Sequence, residues 1–169
     1  NSAVELEKTI QRLRPKVCAN EIIIQEIIKK HPSTGTISFT VLYWNKQMLA
    51  FWMGEKIREH PLEFGTATYC RSIFIPELIS LSERLLKNLN YNGICEIEYM
   101  LDPNDNKFKL IEMNARTWLW VDLARRSGID FPFLIFCLLK NKPLIVPDQY
   151  IIDKKWMHYL VDLPYSLAG

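Results

Sequence analysis

Acidic side chains alternate with apolar ones along two neighbouring segments in the middle of this chain. The first segment, Ile94 to Leu101, carries Glu96 and Glu98, and the second, Phe108 to Asn114, carries Glu112. Because side chains alternate between the two faces of a strand, each segment predicts a strand with one apolar face and one acidic face. We name the predicted pair of strands the acidic hairpin.

The turn between the two strands decides which acids face each other. If the turn spans Pro103 to Lys107, Glu98 lies opposite Glu112 and Glu96 lies opposite Asn114. Like charges that face each other across a sheet repel, so such a pair needs full solvation, a shared proton or a cation. Apolar neighbours oppose full solvation. Two carboxylates and an amide oxygen suit Mg²⁺, which keeps waters and binds substrate phosphates.

Arg116 follows on the same face of the second strand. Its planar guanidinium can hold a phosphate through two parallel hydrogen bonds. The alternative interpretation is a solvated sheet face, because exposed glutamates are common on antiparallel strands. The run Glu-x-Asn-x-Arg opposite a second glutamate favours the metal and phosphate site.

The elements that position these residues predict an α+β fold, an antiparallel sheet flanked by helices. Hydrophobic periodicity and turn residues predict about four or five strands, backed by a helix at Pro76 to Leu89. The predicted strands outside the acidic hairpin are Glu21 to Ile28, Thr36 to Trp44 and Met48 to Gly54. The other predicted helices are Val4 to Arg14, Thr117 to Ser127 with Gly128 at its end, and Phe131 to Lys140. Pro61 to Arg71 is expected to be irregular, and the tail after Pro143 carries no clear pattern.

Composition narrows the class of protein. The chain has 169 residues, 49% hydrophobic and 24% charged, which suits one compact domain. The net charge is only +2 and no long basic run exists, so we expect no nucleic-acid partner. The four cysteines form no CxxC pair, which is typical of reduced thiols in a cytoplasmic protein. No apolar stretch is long enough to span a membrane, and oligomeric state stays open.

The block Gly93 to Thr117 (GICEIEYMLDPNDNKFKLIEMNART) closely resembles the metal-binding hairpin of ATP-grasp enzymes. That family has a glutamate in the first strand and Glu-x-Asn-x-Arg in the second. The resemblance implies that Glu98 and Glu112 bridge magnesium (or manganese) to the phosphates of ATP and that Asn114 completes the coordination. It also implies a catalytic contact of Arg116 with phosphate or acyl-phosphate. The role of Glu96 stays open.

Two further segments are similar to parts of the same family. Ile22 to Ile28 (IIIQEII) resembles the hinge strand, which implies that Gln25, Glu26 and Ile28 line the adenine pocket. A plain core strand is the alternative for this segment. Lys56 and Arg58, in GEKIREHP, resemble a K-x-R stretch that contacts the nucleotide, although a solvated basic strand end explains them nearly as well.

The resemblance covers Glu21 to about Leu139 and also shows what is missing. ATP-grasp enzymes clamp ATP between two subdomains, and the first subdomain carries a Gly-rich loop and two lysines. The six glycines here are spread singly. The resemblance therefore implies that residues 1–169 are the carboxy-terminal portion of an ATP-grasp domain. Residues 1–20 would be a lead-in helix and linker, and 144–169 an appendage.

The activity that the resemblance implies is ligation. The complete protein would activate a small-molecule carboxylate as an acyl-phosphate with ATP, for attack by an amine or a thiol. The alternative is a non-catalytic nucleotide-binding or regulatory remnant of the same fold. We expect the 169-residue chain alone to be inactive, because half of the phosphate cage would be absent.

Overall fold

The computed structural model describes residues 2–61 and 65–168 of the chain. The described residues form a six-stranded sheet with helices on both sides, so the fold class is α+β as predicted. The strand order is β5-β4-β1-β2-β3-β6, and every neighbouring pair is antiparallel. The strands are β1 Thr36–Trp44, β2 Gln47–His60, β3 Thr66–Ile73, β4 Gly93–Leu101, β5 Phe108–Asn114 and β6 Lys155–Met157.

The first hairpin follows from its two-residue turn. Trp44 pairs with Gln47, and the two residues between them, Asn45 and Lys46, have φ angles of 48° and 61°. Positive φ at both central positions matches the twist of the flanking strands. The predicted hairpin is confirmed, and its second strand continues past Gly54 to His60.

Five helices complete the fold, and most agree with the predictions. They are α1 Ala3–Leu13, α2 Glu77–Asn88, α3 Val121–Ser127, α4 Phe131–Leu139 and α5 Tyr159–Ala168. The helix predicted to start at Thr117 begins four residues later. The side chains of Trp118 and Trp120 are both buried while Leu119 between them is exposed. The N–H of Val121 donates to the carbonyl of Trp118 at 3.3 Å, so residues 118–121 close a turn and the helix begins only after it. Gly128 ends α3 at a φ of 119°, as predicted.

The strand predicted at Glu21 to Ile28 is wrong. Ala19–Glu21 form a short 3-10 helix, and no strand is assigned from 22 to 35. Ile23, Ile24 and Ile27 are 84%, 60% and 72% exposed. A β-branched sequence favours a strand only when a neighbouring strand and a buried face receive it, and none of the described residues does so here.

The irregular segment predicted at Pro61 to Arg71 is also partly wrong, because β3 begins at Thr66; residues 62–64 lie outside the described part. The sheet exceeds the expected five strands because β3 and the three-residue β6 both join it. Neither strand shows a strong alternation in the sequence, and β6 is too short to show any.

Two hydrophobic clusters cover the two faces of the sheet. On one face α2 packs Leu78 and Leu86 against residues such as Phe39 and Ile97, so the predicted backing helix is confirmed. On the other face the tryptophans, α3 and α4 pack together; the central members are Trp52, Trp118, Trp120, Leu123, Phe131 and Leu134. The acidic hairpin, β4 and β5, directs its carboxylates to this same side of the sheet, next to Trp118 and Trp120.

Gly54 allows the tryptophans to approach the sheet. A Cβ at this position would lie 2.3 Å from the ring of Trp120 and 2.4 Å from the ring of Trp52. No side chain fits in that space, so the glycine sets how closely the 118–120 segment packs on β2. Its sheet position is two residues before Lys56, on the same face.

Within 2–61 and 65–168, no helix combines the length and the apolar character that crossing a bilayer requires.

Candidate functional site

The predicted pairs of the acidic hairpin are present, although next to the turn Leu101 pairs with Phe108, and a bulge between Glu98 and Tyr99 shifts the register by one residue. Glu98 pairs with Glu112 and Glu96 pairs with Asn114 across β4 and β5. A cavity of about 160 Å³, which we name the site cavity, lies on this face of the sheet. Its lining includes the charged and amide side chains of Lys56, Glu96, Glu98, Glu112, Asn114 and Arg116, together with Trp118 and Trp120. Of the nine residues predicted for the site, the structure therefore brings five together here.

Lys56 and Glu98 form the central ion pair. Lys56 on β2 reaches across β1, and its Nζ lies 2.7 Å from Oε1 of Glu98. Their side chains are 11% and 9% exposed. Burial lowers the pKa of Lys56, but the carboxylates, Glu98 foremost, outweigh burial and raise it. The lysine therefore stays charged and neutralises one of the facing acids.

Glu96 lies beneath this pair and is only 3% exposed. Its Oε1 accepts a hydrogen bond of 2.8 Å from Oγ of Ser38, and its Oε2 lies 3.4 Å from Nδ2 of Asn114. Burial, followed by the charge of Glu98, raises the pKa of Glu96 from 4.5 to about 7. Hydrogen bonding by Ser38 and the charges of Lys56 and Arg116 oppose that shift.

Asn114 connects the acids to Arg116. Its Nδ2 donates to Oε1 of Glu112 at 2.8 Å, and its Oδ1 accepts from Nη2 of Arg116 at 3.3 Å. Nη1 of Arg116 donates to the carbonyl of Thr117 at 3.0 Å. Arg116 is exposed, and a guanidinium carries five N–H donors, so donors remain for an anionic ligand.

The donor set fits a hard divalent cation that also binds phosphates. The described residues contain no group of three or more His, Cys, Asp or Glu side chains arranged to hold a metal. The oxygens available are those of the facing pair, Glu98 and Glu112, and the amide of Asn114. Mg²⁺ commonly uses one or two carboxylates and takes its other ligands from water and nucleotide phosphates, so this small set suffices. Lys56 would have to give up its contact with Glu98 as the cation entered.

Of the three residues predicted to bind adenine, one lines a cavity and the other two are exposed to solvent. Ile28 lines a second cavity of about 320 Å³ together with Lys29, Lys30, Thr36 and Met100. Gln25 and Glu26 are exposed on the extended segment that precedes it. Thr36 pairs with Lys56 in the sheet, so the two cavities lie at the same end of β1 and β2.

Arg58 does not join Lys56. Its Nε donates to Asp162 of α5 at 2.9 Å, and Nη2 contacts the other oxygen of the same carboxylate. The guanidinium also lies over the ring of Tyr69, 4.5 Å from its centre. The register of β2 and β3 shifts on both sides of Arg58, which directs the side chain towards the tail of the chain.

Sequence reasoning missed two features of this site. Ser38, which holds Glu96, was visible as a polar residue inside the apolar run of β1, but its partner is 58 residues away. Trp118 and Trp120 belong to the core, and they also form a wall of the site cavity. A tryptophan can do both because its large ring can pack one edge in the core and present the other edge to the cavity.

Comparisons with known proteins agree on one family of folds. The family described as "Carbamoyl-phosphate synthase L chain, ATP binding domain" matches residues 74–130, which include α2 and the acidic hairpin. A search of curated proteins gave no match.

Several solved structures share the fold over nearly the whole chain. Biotin carboxylase from Campylobacter jejuni, as a β-γ-ATP complex, has a TM-score of 0.66 at 15% identity over 92% of this chain and 36% of its own. Phosphoribosylglycinamide synthetase from Anaerococcus prevotii has 0.63 at 14%, over 91% and 40%. The phosphoribosylaminoimidazole carboxylase ATPase subunit from Aquifex aeolicus has 0.63 at 15%, over 99% and 57%. The chain thus spans between about a third and three fifths of these proteins.

Proposed function

We propose that this chain is the ATP- and magnesium-binding half of an ATP-dependent ligase of the ATP-grasp superfamily, and the matched segment and the shared fold support this proposal. The observation that carries the proposal is the pairing of Glu98 with Glu112 beside Lys56, Asn114 and Arg116 around one cavity. Glu98 is buried and Lys56 half-buried there, while Glu112 and Arg116 reach the solvent, and charged groups that converge on a cavity are typical of a ligand-binding site.

Each residue has a distinct role in the proposed site. Glu98, Glu112 and Asn114 would hold magnesium, which when bound neutralises the polyphosphate and polarises the transferring phosphoryl group. Lys56 and Arg116 supply fixed positive charge where negative charge develops during transfer. The exposed guanidinium of Arg116 acts as an electrostatic clamp and not as a base.

The reaction proceeds in two displacements. An oxygen of the substrate carboxylate bonds to the γ-phosphorus of ATP while the bond from phosphorus to the bridging oxygen breaks, and ADP leaves. The lone pair of an amine or thiol then bonds to the acyl carbon while the carbon–oxygen bond to phosphate breaks. Phosphate leaves and the nucleophile loses its proton to water. Positioning supplies most of the acceleration in such a sequence.

Adenine is assigned to the segment before β1. Ile28 lines the second cavity, and this cavity adjoins the site cavity through Thr36 and Lys56. Gln25 and Glu26 precede Ile28 on the same extended segment and would contact the base through main-chain groups. The remaining part of the cage would come from residues outside this chain.

The alternative, a nucleotide-binding remnant without turnover, has no observation in its favour among the described residues. Glu98 pairs with Glu112 and Glu96 with Asn114 across the acidic hairpin, and Arg116 lines the same cavity. A remnant would be free to lose them, since a fold persists without its chemistry.

The test uses the full-length protein and Glu112→Gln. We expect the substitution to lower Mg²⁺-dependent ATP consumption by about a hundredfold, because a metal-binding oxygen is replaced by an amide. It should also weaken the binding of Mg²⁺-ATP measured by calorimetry. Glu77→Gln, at an exposed position on α2, is the matched control and should leave both unchanged. Equal turnover and Mg²⁺-ATP affinity in Glu112→Gln and the wild type would refute the proposal.

A further inference from the structure

Glu96 is a third carboxylate on the same sheet face, and neither the metal pair nor the phosphate contacts use it. It precedes Glu98 by two residues, so both side chains emerge on one side of β4. It lines the site cavity although its residue is only 3% exposed. The carboxylate is therefore at the floor of the cavity, beneath the ion pair.

The hydrogen-bonding capacity of Glu96 is largely unfilled. An ionised carboxylate accepts about four hydrogen bonds. Glu96 receives one good bond, from Ser38 at 2.8 Å, and one long contact from Asn114 at 3.4 Å. Both donors are neutral. Among the described residues no cation lies within ion-pair distance of Glu96, because Lys56 is engaged by Glu98.

The charge of the lining also leaves Glu96 unmatched. Among the residues that the structure describes, three carboxylates face the site cavity, and Lys56 and Arg116 are the cations that oppose them. Magnesium bound at Glu98 and Glu112 arrives with a polyphosphate of larger negative charge. A buried carboxylate without a cation is costly, so a ligand that brings positive charge to this floor would be favoured.

We infer that Glu96 binds the ammonium group of the acceptor substrate, so that this site joins its carboxylate to an amine and not to a thiol. The inference rests on the proposed function and decides between the two acceptors left open there. A carboxylate attracts an ammonium and orients it through a charge-assisted hydrogen bond. The same carboxylate repels a thiolate, which is the nucleophilic form of a thiol.

The acceptor reacts after it has been placed. The ammonium loses one proton to water, its nitrogen lone pair forms the bond to the acyl carbon, and phosphate departs with the electrons of the broken carbon–oxygen bond. The second proton then leaves the nitrogen to water. Glu96 is a binding residue in this sequence and takes no proton.

The experiment first identifies the carboxylate without any acceptor. Carboxylate-dependent exchange of label between ADP and ATP is measured in the full-length protein with N-acyl amino acids and dicarboxylates, which carry no amine. Ammonium chloride and amino acids are then compared as amine acceptors with coenzyme A and N-acetylcysteine as thiol acceptors. We expect ATP consumption to be stimulated by amines and not by the thiols.

Glu96→Gln should raise the KM for the amine about tenfold or more, relative to the KM for the carboxylate, because a charge-assisted hydrogen bond is lost. Ser38→Ala, which removes the hydroxyl that orients Glu96, should raise the same ratio less. Glu77→Gln is the control and should not change it.

Three outcomes would overturn the inference. The first is stimulation by thiols in preference to amines. The second is an unchanged ratio of KM values in Glu96→Gln. The third is a higher magnesium requirement with an unchanged KM for the amine, which would make Glu96 a metal ligand. Absence of ADP–ATP exchange in the wild-type protein would instead refute the proposed function itself, and the inference with it.

Discussion

Lys56 and Glu98 are buried as an ion pair, and the burial of both charges determines the charge balance of the residues around them. The attraction at 2.7 Å offsets the cost of desolvating each group, while removal of either partner would leave the other buried and unpaired. Glu96 has no such partner, and its pKa is accordingly raised to about 7. One face of the sheet thus holds a paired acid and an unpaired acid two residues apart.

The unpaired acid makes stability depend on pH. The pKa of Glu96 is higher in the folded state than its ordinary value of 4.5, so the folded state binds more protons between pH 4.5 and about 7. The free energy of unfolding of the metal-free protein should fall as pH rises through that window, by at most about 1.4 kcal/mol per pH unit from this group. Glu96→Gln lacks the ionisable group and should lose that dependence.

Urea denaturation at several pH values from 4.5 to 7.5 measures the effect. The free energy of unfolding of Glu96→Gln minus that of the wild type should increase with pH across the window. Glu77→Gln provides the exposed comparison and should run parallel to the wild type. Parallel curves for Glu96→Gln as well would mean that Glu96 is no more buried electrostatically than a surface acid.

For individual residues, the sequence predicted which side chains face each other in the acidic hairpin, but it did not predict contacts between residues far apart in the chain. The facing of Glu98 and Glu112 was predicted from alternation and one turn, but the structure reaches it through a bulge between Glu98 and Tyr99 that the sequence did not reveal. The bond from Ser38 to Glu96 depends on β1 lying beside β4, and no local pattern specifies that neighbour. The same limit hid the engagement of Arg58 by Asp162, which joins residues 104 positions apart.

Among the elements, β2 determines how the tryptophan cluster meets the sheet. Trp52 and Trp120 pack edge to face with ring centres 5.4 Å apart, over the bare backbone of Gly54. Residues 118–120 follow Arg116 in the chain and line the site cavity. The packing of their tryptophans on β2 therefore also fixes one wall of that cavity.

Gly54→Ala should therefore destabilise the fold by about 1 to 3 kcal/mol through overpacking, and the emission of the tryptophan cluster should shift. Gly128→Ala is a useful comparison, because its added Cβ would meet nothing closer than Pro147 at 3.9 Å. Its cost should come from the positive φ alone. Denaturant melts followed by tryptophan fluorescence distinguish the two. An unaltered stability and spectrum in Gly54→Ala would contradict the packing described here.

Sequence reasoning correctly predicted the elements whose defining signals, such as an apolar stripe or a turn, lie within their own residues. α2 has an apolar stripe and a proline at its start, and β1 with β2 has a two-residue turn. Glu21 to Ile28 failed because its residue types describe a strand but cannot supply the neighbour that a strand needs. β6 failed because three residues show no period.

For the whole molecule, the exposed isoleucines before β1 distinguish an isolated chain from a longer protein. If the preceding part of an ATP-grasp domain packs on the segment 22–30, that segment should be protected in the full-length protein. In the 169-residue chain its amide hydrogens should exchange rapidly, while those of β1 stay protected. Hydrogen exchange followed by mass spectrometry on both proteins measures this. Rapid exchange of the segment in both would mean that no hinge strand forms there.

The three-residue strand β6 affects whether separate molecules of this protein can associate through the edge of the sheet. The residues of β6 pair with Tyr69, Cys70 and Arg71 of β3, and Asp162 then fastens the following helix to Arg58. Without them, β3 would present its unpaired N–H and C=O groups along the rim of the sheet, and a rim of that kind recruits strands from other molecules. Because β6 is short and is followed at once by an anchored helix, it offers very little free strand edge to which another molecule could pair. The tail thus bears on colloidal behaviour: shortening the chain before residue 154 should expose this edge and increase the tendency to aggregate.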